Sequence, residues 1–376
     1  VTLKASRIAL ITAALGCLAA VDCRAGSVVA WGSGPGTNCP AGLTDVTAIA
    51  AGSAHALALQ ANGLVSGWGN NAYLQADVPE GLSNVVAIAA GFYHSLALKQ
   101  NGSVVAWGRN TFEQSSVPMD LTNSVAIAAG VNHSLALRRD GTVVNWGKYW
   151  DGAAAFLPMP IPATISNIVA IAAGDNHDLL LKNDGTLVGW GWDGYGQTEV
   201  PNGLTNIAAI AAGGDHSVAL ASNGTLVAWG RNTWGQTNVP AGLTNTLATA
   251  AGTDHTLALR LDGTVLAWGS NQSGQTNPPA GLTNVIAIAA GKDDSLALVQ
   301  SSASSLLRMA NPSYSQGIFS VSVMTVTGKT YRLEYQDSLS GATWSTLPTS
   351  TGNGGILILS DPSANTAHRY YRARQF

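Results

Sequence analysis

The chain is short of charge, of glutamate and of cysteine, and each shortage closes off a class of function. Only 10% of its 376 residues are Asp, Glu, Lys or Arg, with a formal net charge of −3. No run of Lys or Arg appears, so nucleic acid has little electrostatic footing here. The four glutamates, Glu80, Glu113, Glu199 and Glu334, stand in no repeated or paired setting. No Gly-x-Ser-x-Gly, His-Glu-x-x-His or phosphate-loop string occurs. Two carboxylates brought together only by folding stay open as a glycosidase site, but no catalytic residue is nominated and an enzyme is not expected. Neither a cofactor nor a metal is implied.

The cysteines are Cys17, Cys23 and Cys39. Lys4 and Arg7, the apolar run from Ile8 to Val21, and Cys23-Arg24-Ala25 read as a secretory signal peptide over residues 1–25. A lipoprotein signal ending at Cys17 is the weaker alternative, because the position three before it is not leucine. Cleavage after Ala25 leaves Cys39 alone and a charge of −5 from 15 basic and 20 acidic residues. No internal disulfide is then possible, so packing must hold the fold. A secreted or cell-surface location is expected, with no membrane span in the mature chain.

Glycine is plentiful, at 43 residues, and the sequence repeats. Ala-Trp-Gly or a close variant recurs at Trp31, Trp68, Trp107, Trp146, Trp190, Trp229 and Trp268, in steps of 37, 39, 39, 44, 39 and 39 residues. Ala-Ala-Gly recurs in step at Gly52, Gly91, Gly130, Gly174, Gly213, Gly252 and Gly291. A strand-rich unit of about forty residues means a solenoid or a propeller. Within each unit the pattern predicts four antiparallel strands, the last ending at Val-Pro. Asn-Gly or Asp-Gly, at Asn62, Asn101, Asp140, Asp184, Asn223 and Asp262, predicts a type I′ hairpin between the second and third strands. Residues 25–32 begin in mid-unit and the last unit stops near Leu298, so the two fragments sum to one blade. Joined, they make a seven-bladed ring without an exposed sheet edge at its seam.

Trp-Gly-x-Asn-x-x-Gly-Gln at Trp229–Gln236, with Ala-Ala-Gly-x-x-His-Ser-x-Ala-Leu at Ala211–Leu220, resembles the regulator-of-chromosome-condensation repeat. That resemblance covers residues 26 to about 299 and implies an all-β, seven-bladed β-propeller. The compact unit is closest in style to secreted bacterial members such as the propeller-type β-lactamase inhibitory protein, while function has to be argued from the site.

A meander places the turns after each Ala-Ala-Gly on the same face as the long loops that follow each Trp-Gly. Those segments vary between repeats, carry Trp, Tyr and Arg, and so read as a protein-binding surface. The nominated residues are Phe92, Tyr93, Arg109, Phe112, Tyr149, Trp150, Trp192, Tyr195, Arg231 and Trp234, with Tyr73 on the same loops. Packing on a neighbouring blade is the competing role for Tyr195 and Trp234, and the repeated tryptophans read as framework. The fourth repeat gains five residues around Tyr149–Pro162 and loses Gly-Gln-Thr; its insertion either protrudes or plugs the channel mouth. His55, His94, His133, His177, His216 and His255 share one repeat position, filled by Asp294 in the seventh. Ring geometry spaces them too far apart for one metal, so structural hydrogen bonding is expected. Asp175, Asp215, Asp254, Asp293 and Asp294 are expected as an acidic arc on the variable face, and calcium lacks a loop with alternating oxygen ligands.

A Ser-rich stretch begins a linker over residues 300–314, and 315–376 reads as a small β-sandwich of five strands. Its Tyr331, Tyr335, Trp344, Tyr370 and Tyr371 are expected in the core. The leading functional reading is a secreted, monomeric scaffold that binds an unidentified protein, with inhibition as one outcome. Its alternative is a carbohydrate-binding or surface-attachment module.

Overall fold

The computed structural model describes residues 3–4, 26–152, 155–300, 309–315, 318–325, 327–336, 344–363 and 370–376. Residues 5–25 of the expected signal segment, with Cys17 and Cys23, lie outside the described residues, as does the Ser-rich stretch 301–308.

The repeats form three-stranded antiparallel blades, the architecture of a propeller. Blade 1 is Val46–Ala51, His55–Gln60 and Val65–Gly69; blade 2 is Val85–Ala90, His94–Lys99 and Val104–Gly108; blade 3 is Ser124–Ala129, His133–Arg138 and Val143–Gly147. Blade 4 is Ile168–Ala173, His177–Lys182 and Leu187–Gly191; blade 5 is Ile207–Ala212, His216–Ala221 and Leu226–Gly230; blade 6 is Thr246–Ala251, His255–Arg260 and Val265–Gly269. The last sheet takes two strands from one end of the array, Val285–Ala290 and Asp294–Gln300, and one from the other, Gly26–Gly32. In that sheet Gly26 pairs with Gln300 and Gly32 with Asp294.

The expected fourth strand is absent from the ladders. Val78, Val117, Val200 and Val239 pack against the blade cores, but their backbone is committed to turns. In blade 1, the Ala76 N–H is held by the Asn71 side chain at 3.0 Å and Asp77 N–H by the Leu74 carbonyl. Proline then supplies no donor to continue a ladder. The segment is apolar enough to be buried and too tightly turned to pair.

Middle strands are buried on both faces because each blade is stacked between two others. Leu57, Leu96, Leu135, Leu179, Leu257 and Leu296 have no exposed surface. Each apolar cluster joins two blades: Leu57 and Leu59 pack with Val85, Ala97 and Trp107, and Leu296 and Leu298 pack with Val46, Ala56 and Trp68. The inner strands end in Ala-Ala-Gly because the axis is crowded. A Cβ on Gly174 would stand 2.4 Å from the Gly213 carbonyl oxygen, and one on Gly291 would stand 2.4 Å from that of Gly52.

The hairpins differ from the type I′ expectation. Gly63 has φ of 79° while Asn62 is not left-handed. The Gly63 N–H donates to the Gln60 carbonyl at 2.9 Å, and the Asn62 side-chain oxygen accepts the Leu64 N–H at 3.0 Å. This is a type I turn closed by a left-handed glycine. The left-handed asparagines stand instead before the inner strands, at Asn84, Asn123, Asn167, Asn206, Asn245 and Asn284.

Beyond the blades, Leu3–Lys4, Tyr370–Gln375, Thr330–Gln336 and Ser345–Thr351 form one sheet, and Met309–Ser315, Ile318–Met324 and Ile356–Asp361 another. The strand at Met309 shortens the expected linker, which had run to 314. Phe319, Val321, Val323 and Leu359 from the second sheet share an apolar cluster with Tyr331, Leu333 and Tyr371 from the first. Tyr371 stacks on Phe319 at 3.9 Å and donates to Asp361 at 2.7 Å. Tyr335 packs on this cluster, whereas Trp344 does not; the Tyr370 side chain lies outside the described residues.

Candidate interaction rim

After each Ala-Ala-Gly the chain turns in two residues, and the two positions serve different places. The first, occupied by Ser53, Phe92, Val131, Asp175, Gly214, Thr253 and Lys292, lines the central cavity. Its volume is about 80 Å³, room for a few waters and not for a hexose. The second position sits beneath the long loops: Asn132 accepts from Gln114, Asn176 from the Trp150 N–H, and Asp215 from Arg231. These contacts put both variable segments on one rim.

Along that rim the aromatic and cationic side chains touch in sequence. Tyr73 lies 5.1 Å from Tyr93, which meets Phe92 edge-on at 4.6 Å. The Arg109 guanidinium stands over Tyr73, Tyr93 and Phe112 at 5.3, 5.6 and 5.3 Å. Phe112 contacts Phe156 at 4.6 Å, and Phe156 contacts Trp150 at 5.1 Å. Trp192 packs over Gly152 and meets Tyr195 at 5.5 Å, and Arg231 covers Tyr195 at 5.2 Å. Arg231 then reaches Asp215 at 3.3 Å and Asp254 at 4.0 Å. Trp234 is 42% exposed and Tyr195 50%.

One nomination needs correction. Tyr149 is fully buried: its ring stacks on His133 at 4.0 Å and its hydroxyl donates to Asp178 at 2.6 Å. A partner cannot reach it. The insertion that carries it folds as a small hairpin, Tyr149–Trp150 against Phe156–Leu157, and none of its described residues lines the central cavity. Phe156, which links Phe112 to Trp150, is not among the nominated residues; its signal is an aromatic within the inserted segment of the fourth repeat.

Asp294 leaves the expected acidic arc for the interior, with no exposed surface and both carboxyl oxygens unpaired. Burial, and then the charge of Asp293, push its carboxyl up to about 7. On the rim, burial lifts Asp175 to about 7, with Asp215 and Asp254 adding repulsion. Asp215 and Asp254 are also raised, chiefly by burial. The arc thus holds part of its charge in reserve at neutral pH.

The histidines form latches between blades. His94 Nε2 lies 2.8 Å from Ser134 Oγ, and Ser134 donates its proton to the Gln114 carbonyl at 2.9 Å. With that proton committed, the histidine must donate, which fixes the Nε2–H tautomer. The same carbonyl accepts the Trp146 indole N–H at 2.9 Å. Equivalent chains run from His55 through Ser95, His177 through Ser217, His216 through Thr256, and His255 through Ser295. At the fourth blade His133 donates to Asp178 at 2.9 Å, and the Met159 carbonyl replaces glutamine as acceptor for Trp190. Burial drives His94, His177 and His216 down to about 3, and His55 and His255 to about 4. Among the described residues no group of three His, Cys, Asp or Glu is placed to hold a metal, and no helix is long and apolar enough to cross a membrane.

A family model, the regulator of chromosome condensation (RCC1) repeat, matches residues 46–75, 85–114, 125–148, 168–197, 207–236 and 248–275. Five of these matches end on the latch glutamine, at Gln75, Gln114, Gln197, Gln236 and Gln275, and the one at 125–148 stops where the insertion begins. Among solved structures the chain is similar to Prp20p from Saccharomyces cerevisiae, at 21% identity and TM-score 0.62, over 79% of this chain and 94% of that one. Human WBSCR16 is similar at 19% identity and TM-score 0.59, over 74% of this chain and 100% of that one. The ectodomain of the Physcomitrella patens receptor kinase CR4 is similar at 26% identity and TM-score 0.54, over 65% of this chain and 68% of that one. No curated protein matches the chain. With its Ala-Ala-Gly-x-x-His hub and latch, its glutamine acceptor and its Trp-Gly indole recurring from blade to blade, the chain belongs to the regulator of chromosome condensation (RCC1) repeat family.

Proposed function

We propose that this chain is a secreted, non-catalytic scaffold that binds another protein through the rim of a closed, seven-bladed propeller. The carrying observation is two runs of ring and guanidinium contacts, Tyr73 to Trp150 and Trp192 to Arg231, which meet where Trp192 packs over Gly152. Trp, Tyr and Arg are the residue types that dominate binding energy at protein interfaces, and here they are pre-positioned by one another, which lowers the entropy lost on docking. Seven sheets and the approach of Gly291 to Gly52 support the ring, and the shared cluster of the last two sheets supports a C-terminal sandwich. The apolar segment before Ala25 supports export. Prp20p is a relative in fold whose binding to Gsp1p and histones has been studied; inhibition of a secreted target is the reading its bacterial style suggests here.

The test is affinity capture from secreted proteins with the mature chain, beside a Phe92→Ala, Trp150→Ala, Trp192→Ala variant. A partner held by the first and lost at least tenfold by the second is expected. Equal retention by both would move the interface off this rim.

A further inference from the structure

We propose that the outer face of the sheet built on Thr330–Gln336 is a platform for a carboxylate-bearing polysaccharide, separate from the rim. In this sheet Arg374 pairs with Arg332, and Arg332 with Thr349; Arg372 pairs with Glu334, and Glu334 with Thr346. Paired residues in neighbouring strands share a face, so three guanidiniums and a row of hydroxyls lie together. The opposite face is the one that carries Tyr331, Leu333 and Tyr371 into the core.

One carboxylate serves all three cations. Arg332 reaches Glu334 at 2.6 Å, Arg372 at 2.7 Å and Arg374 at 3.7 Å. The face keeps a net charge of +2 and most of its N–H donors, in the forked geometry that suits a carboxylate. Each end carries an aromatic ring. Arg372 stands 4.2 Å over Trp344, and Arg332 stands 4.7 Å over Phe376, which is 53% exposed. A platform with guanidiniums in the middle, rings at both ends and Thr346, Thr349 and Thr351 exposed along one side fits a flat, hydroxyl-rich, acidic chain.

Magnitudes favour that ligand over nucleic acid. Duplex binders neutralise about 6–10 phosphates, and this face offers two uncompensated charges. Residues 26–300 hold 9 basic and 17 acidic side chains, and residues 301–376 hold 6 and 3. The cationic excess is therefore confined to the C-terminal part, and the rest of the molecule repels a dense polyanion.

The experiment titrates the mature full-length chain with polygalacturonate, with its methyl-esterified form, and with a DNA duplex at the same salt. Polygalacturonate is expected to bind at least tenfold tighter than the ester, with affinity falling as salt rises. Trp344→Ala and Arg374→Gln should each weaken it at least fivefold, with unchanged thermal melts; Arg374 is used because it is the most loosely tied to Glu334. The Phe92→Ala, Trp150→Ala, Trp192→Ala variant should bind polygalacturonate normally, which keeps this inference apart from the rim. Equal binding of acid and ester, tighter binding of DNA, or no binding of polygalacturonate would overturn it.

Discussion

Six junctions between successive blades are fastened by a histidine, a hydroxyl or carboxylate, a backbone carbonyl and an indole, whereas the contact of the last sheet with blade 1 keeps only the carbonyl and the indole. At that seam Asp294 replaces histidine, Ala56 replaces the hydroxyl residue, and Gly36 replaces the glutamine, its carbonyl still accepting the Trp68 indole at 2.7 Å. The side-chain latch is therefore missing between the last sheet and blade 1, where Leu296 and Leu298 pack with Val46, Ala56 and Trp68. The last sheet has the same strand pairing as the other blades but draws its strands from both ends of the array, so its ladder ties those ends together while apolar packing holds it against blade 1. The comparison teaches that the latch reinforces the packing between blades, and that apolar contact with the indole-to-carbonyl bond holds a junction where the latch is lacking.

Acid should produce the largest effect. His55, His94, His177, His216 and His255 are held neutral, well below the ordinary value near 6.5. The unfolded chain takes up those protons first, so stability present above pH 6.5 is lost as pH falls toward 4 and 3. Each tenfold change in proton affinity between the two states is worth about 1.4 kcal/mol, and a domain has only about 5–15 kcal/mol to lose. Thermal melts between pH 7 and 4 should show a steep fall and unfolding before pH 4; a flat profile would contradict the buried, donating histidines.

Crowding at the hub comes next. Gly174→Ala places a Cβ 2.4 Å from both the Gly213 carbonyl oxygen and His177 Cε1, with backbone on one side that cannot yield. A loss of about 3 kcal/mol is expected by denaturant titration, at the upper end for overpacking.

The seam responds in the opposite direction to pH. Asp294 binds its proton more tightly folded than unfolded, so its contribution weakens as pH rises from about 4 through about 7. Asp294→Asn removes the cost of ionising a buried acid and should stabilise the chain by about 2 kcal/mol at pH 8, and by nothing measurable at pH 4. The smallest effect is a repair: Asp294→His with Ala56→Ser should give a coupling of about 1 kcal/mol in a double-mutant cycle. No coupling would mean that Gly36 leaves the histidine unsupported.

The sequence carried the repeat period, the two-ended last sheet and the shared rim of the variable segments, because each follows from spacing alone. Spacing could not carry Tyr149 inward. Its burial goes with Asp178, 29 residues away, which stands where other repeats have Ser, Thr or, once, Ala and offers its second oxygen to the hydroxyl. The same limit applies to Asp294, whose isolation is visible only beside Ala56. The fourth strand failed for another reason, since Val-Pro has strand composition but Asn71, Asn110 and Asn232 side chains hold the preceding turns closed. Trp344 was placed in the core by its type, yet it sits at the ladder's end beneath Arg372.

The strand Gly26–Gly32 meets its partner only after some 260 further residues have been made. During synthesis it waits as a bare edge while complete blades form behind it, and long-range pairing of this kind is slow and exposed to aggregation. Completion of the last sheet thus has to wait until Asp294–Gln300 has left the ribosome, however early the blades between are formed.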